Sequence, residues 1–176
     1  MTRIHLSSIE KKAADLLQSA GIKEIPVPVE AVAARLGLKV EWAPLGEEVS
    51  GVLVLNSGTA TIGVNRSQAL VRQRFTIAHE IGHYLLHGKS AELFIDKGYA
   101  AVFRGASAAK GEDPQEIQAN QFAAALLMPR ESVQKEIATH SFDLGDEQAL
   151  SILAIRFKVS LQAMTFRLSN LGVFSR

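Results

Sequence analysis

The pattern His79-Glu80-Ile81-Gly82-His83 sets two metal-ligating side chains around one carboxylate. On an α-helix, residues four apart lie about 40° apart around the axis and one turn along it, so both imidazoles can face one ion. Two histidines supply two of the three protein ligands that a catalytic zinc site uses. Glu80 lies about 100° round from His79, where it can reach a water beside the ion and act as a general base. The pattern therefore predicts a metal-dependent hydrolytic site.

The third ligand has to come from another segment, and Glu116 on a second predicted helix is the strongest candidate. Asn120 lies four residues further on the same helical face, where its side chain could hydrogen-bond a ligating histidine and fix that ring. The alternative is that Glu116 belongs to a capping box with Asp113 and needs no metal. Weaker candidates, at loop, cap and post-proline positions, are Glu112, Asp113 and Glu131.

The other histidines are less well placed. His87 continues the stripe of His79 and His83, but the outer two residues of that stripe lie about 12 Å apart along the helix axis, too far to share one tetrahedral ion. We expect His87 to lie in the core or beside the site. His5 and His140 are isolated in the sequence. On residue type alone, Tyr99 and His140 are candidates for stabilising a developing oxyanion.

Apolar periodicity places these residues in an α+β chain. Gly82, in the middle of its helix, costs about 1 kcal/mol relative to alanine, so we expect another segment to approach the helix there. Asn65 or Ser67 could cap the start of that helix, and residues 89–112 are predicted to form a long loop. The predicted helices are 7–20, 29–36, 67–87, 113–128, 131–139, 147–157 and 161–171, and the strands, forming a small antiparallel sheet, are 38–42, 51–55 and 59–64.

Bulk properties restrict the function further. The 176 residues suit one compact domain with a small appended part, and a net charge of +1 gives no sign of a nucleic-acid or membrane surface. Cysteine is absent, so any metal has to be held by histidine and carboxylate. The start, Met1 to His5, lacks the apolar stretch of a signal peptide, and no run of about 18 apolar residues could span a bilayer. We expect a cytoplasmic protein.

Two long stretches resemble signatures of the ImmA/IrrE metallopeptidase family: residues 74–87, RFTIAHEIGHYLLH, and residues 116–129, EIQANQFAAALLMP. The resemblance implies a zincin-like fold, with a small antiparallel sheet packed on the HExxH helix. It implies His79, His83 and Glu116 as ligands of one zinc ion (manganese or iron being alternatives), with Glu80 as the base. Many relatives carry glutamate where this chain has Gln118, and we infer that this position is not the ligand.

The resemblance also implies a substrate class. Relatives cleave helix-turn-helix repressors of the Xre type and thereby release phage, mobile-element or stress-response genes. We expect a similar protein substrate here, which could add as an extended strand to an edge of the sheet formed by residues 51–64. The predicted organisation is a peptidase domain over residues 1–140 and a C-terminal helical hairpin over residues 141–176.

The sequence leaves two other hypotheses about the function open. In a DNA-binding regulator, residues 146–171 would form a helix-turn-helix, although four basic against two acidic residues between 146 and 176 is a thin surplus for holding a phosphate backbone. Those residues are Arg156, Lys158, Arg167 and Arg176 against Asp146 and Glu147. In the third reading, the chain is a protein-interaction module with a structural or sensory zinc.

Overall fold

A computed structural model describes residues 6–56, 59–88, 93–96, 113–140 and 146–173. Within these residues, seven helices and a four-stranded sheet form the α+β, zincin-like fold that was expected. In chain order the elements are α1 (Leu6–Ala20), α2 (Val29–Arg35), β1 (Leu38–Ala43), β2 (Gly51–Asn56), β3 (Thr59–Asn65), α3 (Leu70–His87), β4 (Leu93–Asp96), α4 (Pro114–Leu127), α5 (Arg130–His140), α6 (Glu147–Phe157) and α7 (Leu161–Asn170).

The sheet has the strand order β1-β3-β2-β4 and is mixed. β2 runs antiparallel to both β3 and β4, as expected, whereas β1 runs parallel to β3. The chain reverses direction between β1 and β2 and again in the β2–β3 hairpin, and β3 then inserts between β1 and β2. The prediction of an antiparallel sheet was therefore wrong for the pairing of β1 with β3.

The prediction that residues 51–64 provide a free edge of the sheet was also wrong. Both strands of this hairpin are internal, because β1 covers the outer side of β3 and β4 covers the outer side of β2. β4 lies inside the segment that was predicted to be loop throughout. The four residues of β4 are three consecutive apolar residues followed by Asp96, so the sequence shows no apolar–polar alternation there from which a strand could be predicted.

Helix α3 begins later than predicted, and neither Asn65 nor Ser67 caps it. The N-cap is Ala69, which makes no side-chain capping bond. The Asn65 amide instead donates to the carbonyl oxygens of Gly46 and Val49, and its oxygen accepts from Ser67 N at 3.1 Å and Ser67 Oγ at 2.8 Å. Asn65 thus fixes the loop before β2 to the turn before α3.

Helix α3 lies across β2 and β3 and packs along α4, which in turn packs on α1. Gly82 makes the close approach of α3 to α4 possible, as its position in the sequence suggested. A Cβ at this glycine would lie 3.1 Å from both Cα and O of Ala119 and 3.2 Å from Phe122 Cδ1. The two helices that carry the candidate ligands are therefore held against each other at backbone distance.

Helices α6 and α7 form the C-terminal hairpin. Their N-caps, Asp146 and Ser160, accept hydrogen bonds from Gln148 N and Ala163 N. Arg167 of α7 is buried, donates from Nε to Met128 O at 2.9 Å and forms a two-pronged ion pair with Glu10 of α1. Among the described helices, none alone is long and apolar enough to cross a membrane; α6 and α7 meet that test only together, with a 99° bend between them.

Candidate metal centre

The structure brings His79 and His83 of α3 together with Glu116 of α4. The two imidazole Nε2 atoms lie 2.9 Å apart, and the Glu116 oxygens lie 3.2 Å from His79 Nε2 and 3.1 Å from His83 Nε2. One ligand atom from each residue falls within 4.8 Å of the other two. In the described part of the chain, this is the one group of three or more His, Cys, Asp or Glu side chains that could hold an ion.

Asn120 holds the first imidazole in place. Its Oδ1 lies 2.8 Å from His79 Nδ1, and because an amide oxygen can only accept, Nδ1 carries the hydrogen. The lone pair of His79 is then on Nε2, the atom that faces His83 and Glu116. Asn120 lies one helical turn after Glu116, so a single face of α4 carries both the candidate ligand and the group that orients another ligand.

Asp113 caps α4 without Glu116. The Asp113 carboxylate accepts from Gln115 N at 2.9 Å, whereas the Glu116 carboxylate faces the two imidazoles. Burial alone would raise the pKa of Glu116, but hydrogen bonds from His79 and His83, and the positive charge that these rings carry when protonated, outweigh burial and hold the pKa well below its usual range. Glu116 therefore presents a negatively charged carboxylate to the group.

Glu80 lies on the side of α3 that faces the start of β2. Its side chain is fully buried, and so is that of Thr76 one turn earlier on the helix. A Cβ added to Gly51 would overlap Thr76 Cγ2 and lie 3.3 Å from Glu80 Oε1. Neither Gly51 nor Thr76 was predicted to belong to the site. The signal in the sequence was the i, i+4 spacing of Thr76 and Glu80, which puts both on one helical face.

The remaining candidates lie apart from this group or outside the described residues. The buried His87 ring lies 5.7 Å from the His83 ring, centroid to centroid. Burial, and then the nearby His83, lower the pKa of His87, which keeps it neutral. His140 lies against its own helix, 3.1 Å from Glu136 O, and Glu131 is exposed. His5, Tyr99 and Glu112 are outside the described residues.

The donor set fits a catalytic metal site. Two imidazole nitrogens and one carboxylate oxygen are the ligands of one common class of catalytic zinc centre, which leaves a further position for water or substrate. The histidines are nearly fully buried, whereas 40% of the Glu116 side chain is exposed, so solvent reaches the group from the α4 side. The same helix carries the fully buried carboxylate of Glu80, the type of side chain that metal-assisted hydrolysis requires.

Residues 33–169 match the sequence profile of the IrrE N-terminal-like domain, a peptidase family. The chain belongs to this family. The match covers well over half of the chain and includes both helices that carry the candidate ligands. Membership in the IrrE N-terminal-like family makes a metallopeptidase the expected class of protein and confirms the resemblance on which the sequence analysis drew.

Among solved structures, the chain is similar to one described as a Mycobacterium tuberculosis transcriptional regulator, with a TM-score of 0.62 and 18% sequence identity. The alignment covers 94% of this chain and 47% of that protein, so the chain spans about half the length of its structural neighbour. At this identity the likeness supports the fold alone. A search of curated proteins finds no match.

Proposed function

We propose that this chain is a zinc-dependent endopeptidase with His79, His83 and Glu116 as metal ligands and Glu80 as general base. The observation that carries the proposal is the convergence of Nε2 of both histidines and the Glu116 carboxylate on one point, with the fully buried Glu80 on the same helix. Asn120 orients His79 through Nδ1. Outer partners of this kind typically contribute about 10–100-fold to metal affinity or activity.

The proposed reaction is amide hydrolysis. A zinc ion held by these three residues would lower the pKa of bound water towards about 7 and would polarise the scissile carbonyl. Glu80 accepts a proton from the attacking water, whose oxygen adds to the carbonyl carbon. Glu80 then gives that proton to the leaving nitrogen as the C–N bond breaks, so no proton is gained or lost overall. Because Glu80 is buried, bulk water does not compete for this transfer.

We propose a helix-turn-helix transcriptional repressor as the substrate, cleaved to derepress phage, mobile-element or stress-response genes. Family membership supports a regulatory protein as the target, and the regulator-like name of one structural neighbour is in keeping with it. A repressor is encountered on DNA, so the proposal also places the chain in the cytoplasm. The division into a peptidase domain to residue 140 and a hairpin from 141 stays a prediction.

Replacing Glu80 with glutamine tests the catalytic role, because glutamine keeps the shape of the side chain but cannot accept the proton. Cells making the wild-type chain or E80Q are compared by mass spectrometry of protein N-termini. We expect new N-termini inside a helix-turn-helix repressor with the wild type only, and a loss of cleavage rate of about 10²–10⁴-fold with E80Q.

The metal content of both purified proteins, measured by elemental analysis, should be equal. The matched control is E131Q, which makes the same chemical change at an exposed glutamate and should cleave like the wild type. If E80Q produces the same new N-termini as the wild type, Glu80 is not the base and the peptidase proposal fails.

One observation favours the DNA-binding alternative. Helices α6 and α7 meet at 99° across three residues, which fits the geometry of a helix-turn-helix. The charges do not favour DNA binding. The Arg167 guanidinium is buried and paired with Glu10, and Arg156 forms an ion pair with Glu136. Of the four basic residues counted in the tail, Arg176 lies outside the described residues, and Lys158 is exposed.

Retention of labelled duplex DNA by the purified chain, titrated with salt, distinguishes the two functions. A DNA-binding protein that contacts several phosphates loses affinity steeply as salt rises. We expect no retention at physiological salt. Retention that persists in E80Q and falls with salt would favour the regulator.

A further inference from the structure

The start of β2 lies directly against the catalytic face of α3, and the contact there is made by a residue without a side chain. Gly51 is the first residue of β2, and its pair partners are Val64 of β3 and Asp96 of β4. The Cβ direction of Gly51 points at Thr76 Cγ2 and at Glu80 Oε1. The strand backbone itself therefore forms one wall of the space that holds the Glu80 carboxylate.

The wall is fixed in place through the preceding residue, Ser50, which is fully buried. Ser50 Oγ accepts hydrogen bonds from Arg72 Nη2 at 3.0 Å and from Gln68 Nε2 at 3.2 Å. The backbone carbonyl oxygen of Ser50 accepts a hydrogen bond from Asn65 N at 2.9 Å. The beginning of α3, the end of β3 and the start of β2 are thus tied together one residue away from the contact with Glu80.

A side chain at position 51 would not fit without movement of the catalytic face. The Cβ of an alanine would overlap Thr76 Cγ2 and would lie 3.1 Å from Gly63 O and 3.3 Å from Glu80 Oε1. Both oxygens would then be closer than ordinary van der Waals contact. Ser50 cannot withdraw, because three hydrogen bonds hold it. Gly63 lies on β3, which is paired with β2 and held in the same sheet. The displacement therefore falls on Thr76 and Glu80, which lie one turn apart on α3.

We propose that Gly51 is a positioning residue that sets the location of the Glu80 carboxylate relative to the metal ligands. The inference rests on the proposed function, because it assigns Gly51 a role only through Glu80. A displacement of about 1 Å at a reacting group can cost about a hundredfold in rate. We therefore expect G51A to lower kcat by about ten- to a hundredfold, with little change in KM or in zinc affinity.

The double variant T76S/G51A separates positioning from simple overcrowding. Serine at position 76 removes Cγ2, the atom that the new Cβ would overlap, and keeps the hydroxyl. We expect the urea midpoint of T76S/G51A to return close to that of T76S, while kcat stays below that of T76S because the Cβ still crowds Glu80. The double variant also keeps the test valid if G51A alone does not fold.

G63A is the matched control, a second strand glycine in the same sheet. Its added Cβ would meet Val52 Cγ2 at 2.8 Å and does not reach Thr76 or Glu80. We expect G63A to lower the urea midpoint without lowering kcat. Kinetics use a quenched fluorescent peptide that spans the cleavage site mapped in the repressor, and zinc affinity is measured by competition with a chelator.

A crystal structure of G51A gives a readout that does not depend on activity. We expect the Glu80 carboxylate to have moved relative to the His79 and His83 rings. An unchanged Glu80 position, an unchanged kcat in G51A, or full recovery of kcat in T76S/G51A would each overturn the positioning role. If E80Q cleaves like the wild type, the proposed function fails by itself, whereas loss in E80Q without loss in G51A overturns only the role of Gly51.

Discussion

The helix pairs α3–α4 and α6–α7 use polar residues in opposite ways. In α3 and α4, buried or half-buried polar side chains converge on one point: His79, His83 and Glu116, with Asn120 behind them. In α6 and α7, the polar side chains with described partners end in structural contacts. Asp146 and Ser160 cap helices, and Arg167 forms an ion pair with Glu10 and donates to the Met128 carbonyl oxygen.

This difference separates a site from a scaffold. Burying a polar group is unfavourable unless it is hydrogen-bonded, so a buried polar cluster has to serve either the fold or a ligand. The contacts of Arg167 join three helices and account for its burial. Two imidazoles and a carboxylate aimed at each other join only two helices that already pack at backbone distance through Gly82, which is better explained by a ligand.

The largest expected effect is at Glu116. In E116Q the charged ligand becomes a neutral amide, and we expect zinc affinity to fall by more than the roughly 10–100-fold that is typical of residues outside the ligand set. Chelator competition at constant pH measures the loss. E131Q should leave the affinity unchanged, and a value for E116Q within that control range would show that Glu116 is not a ligand.

The sequence predicts how residues of one helix are arranged, but it does not predict which residues of different helices meet. The site contains both kinds of relation. His79, Glu80 and His83 lie on one helix, so helical periodicity alone sets their relation. Glu116 lies on a different helix, and spacing could not choose between a ligand and a capping glutamate. The outcome depended on tertiary packing, since Asp113 caps α4 by itself and leaves Glu116 for the histidines.

The fold shows the same limit. The helices with long apolar periods were predicted to within a few residues, because their period is a local property. The parallel pairing of β1 with β3 and the short strand β4 depend on contacts between segments distant in the sequence. Gly51 was not predicted for the same reason. The side chains that require a glycine at this position, Thr76 and Glu80, lie 25 or more residues later in the sequence.

G82A is expected to have the next largest effect, and it acts on both the fold and the site. Alanine raises helix propensity by about 1 kcal/mol, but overpacking against the backbone of Ala119 costs about 1–3 kcal/mol. We expect a net loss of about 1 kcal/mol, seen as a Tm lower by about 2–4 °C, and weaker zinc binding because α4 is pushed away from α3. An unchanged Tm and zinc affinity would contradict the tight approach of the helices.

S160A tests the comparison in the scaffold pair, and its expected effect is a loss of stability alone. Loss of the cap on Ala163 N should lower the free energy of unfolding by about 1 kcal/mol, measured by urea denaturation, with S169A at an exposed position of the same helix as control. Zinc affinity should not change, because the hydrogen bond from α7 to this part of the chain ends at Met128 O, beyond the end of α4 and about three turns after Glu116. A drop in zinc affinity in S160A without one in S169A would mean that the hairpin does position the ligands, and the division into site and scaffold would have to be given up.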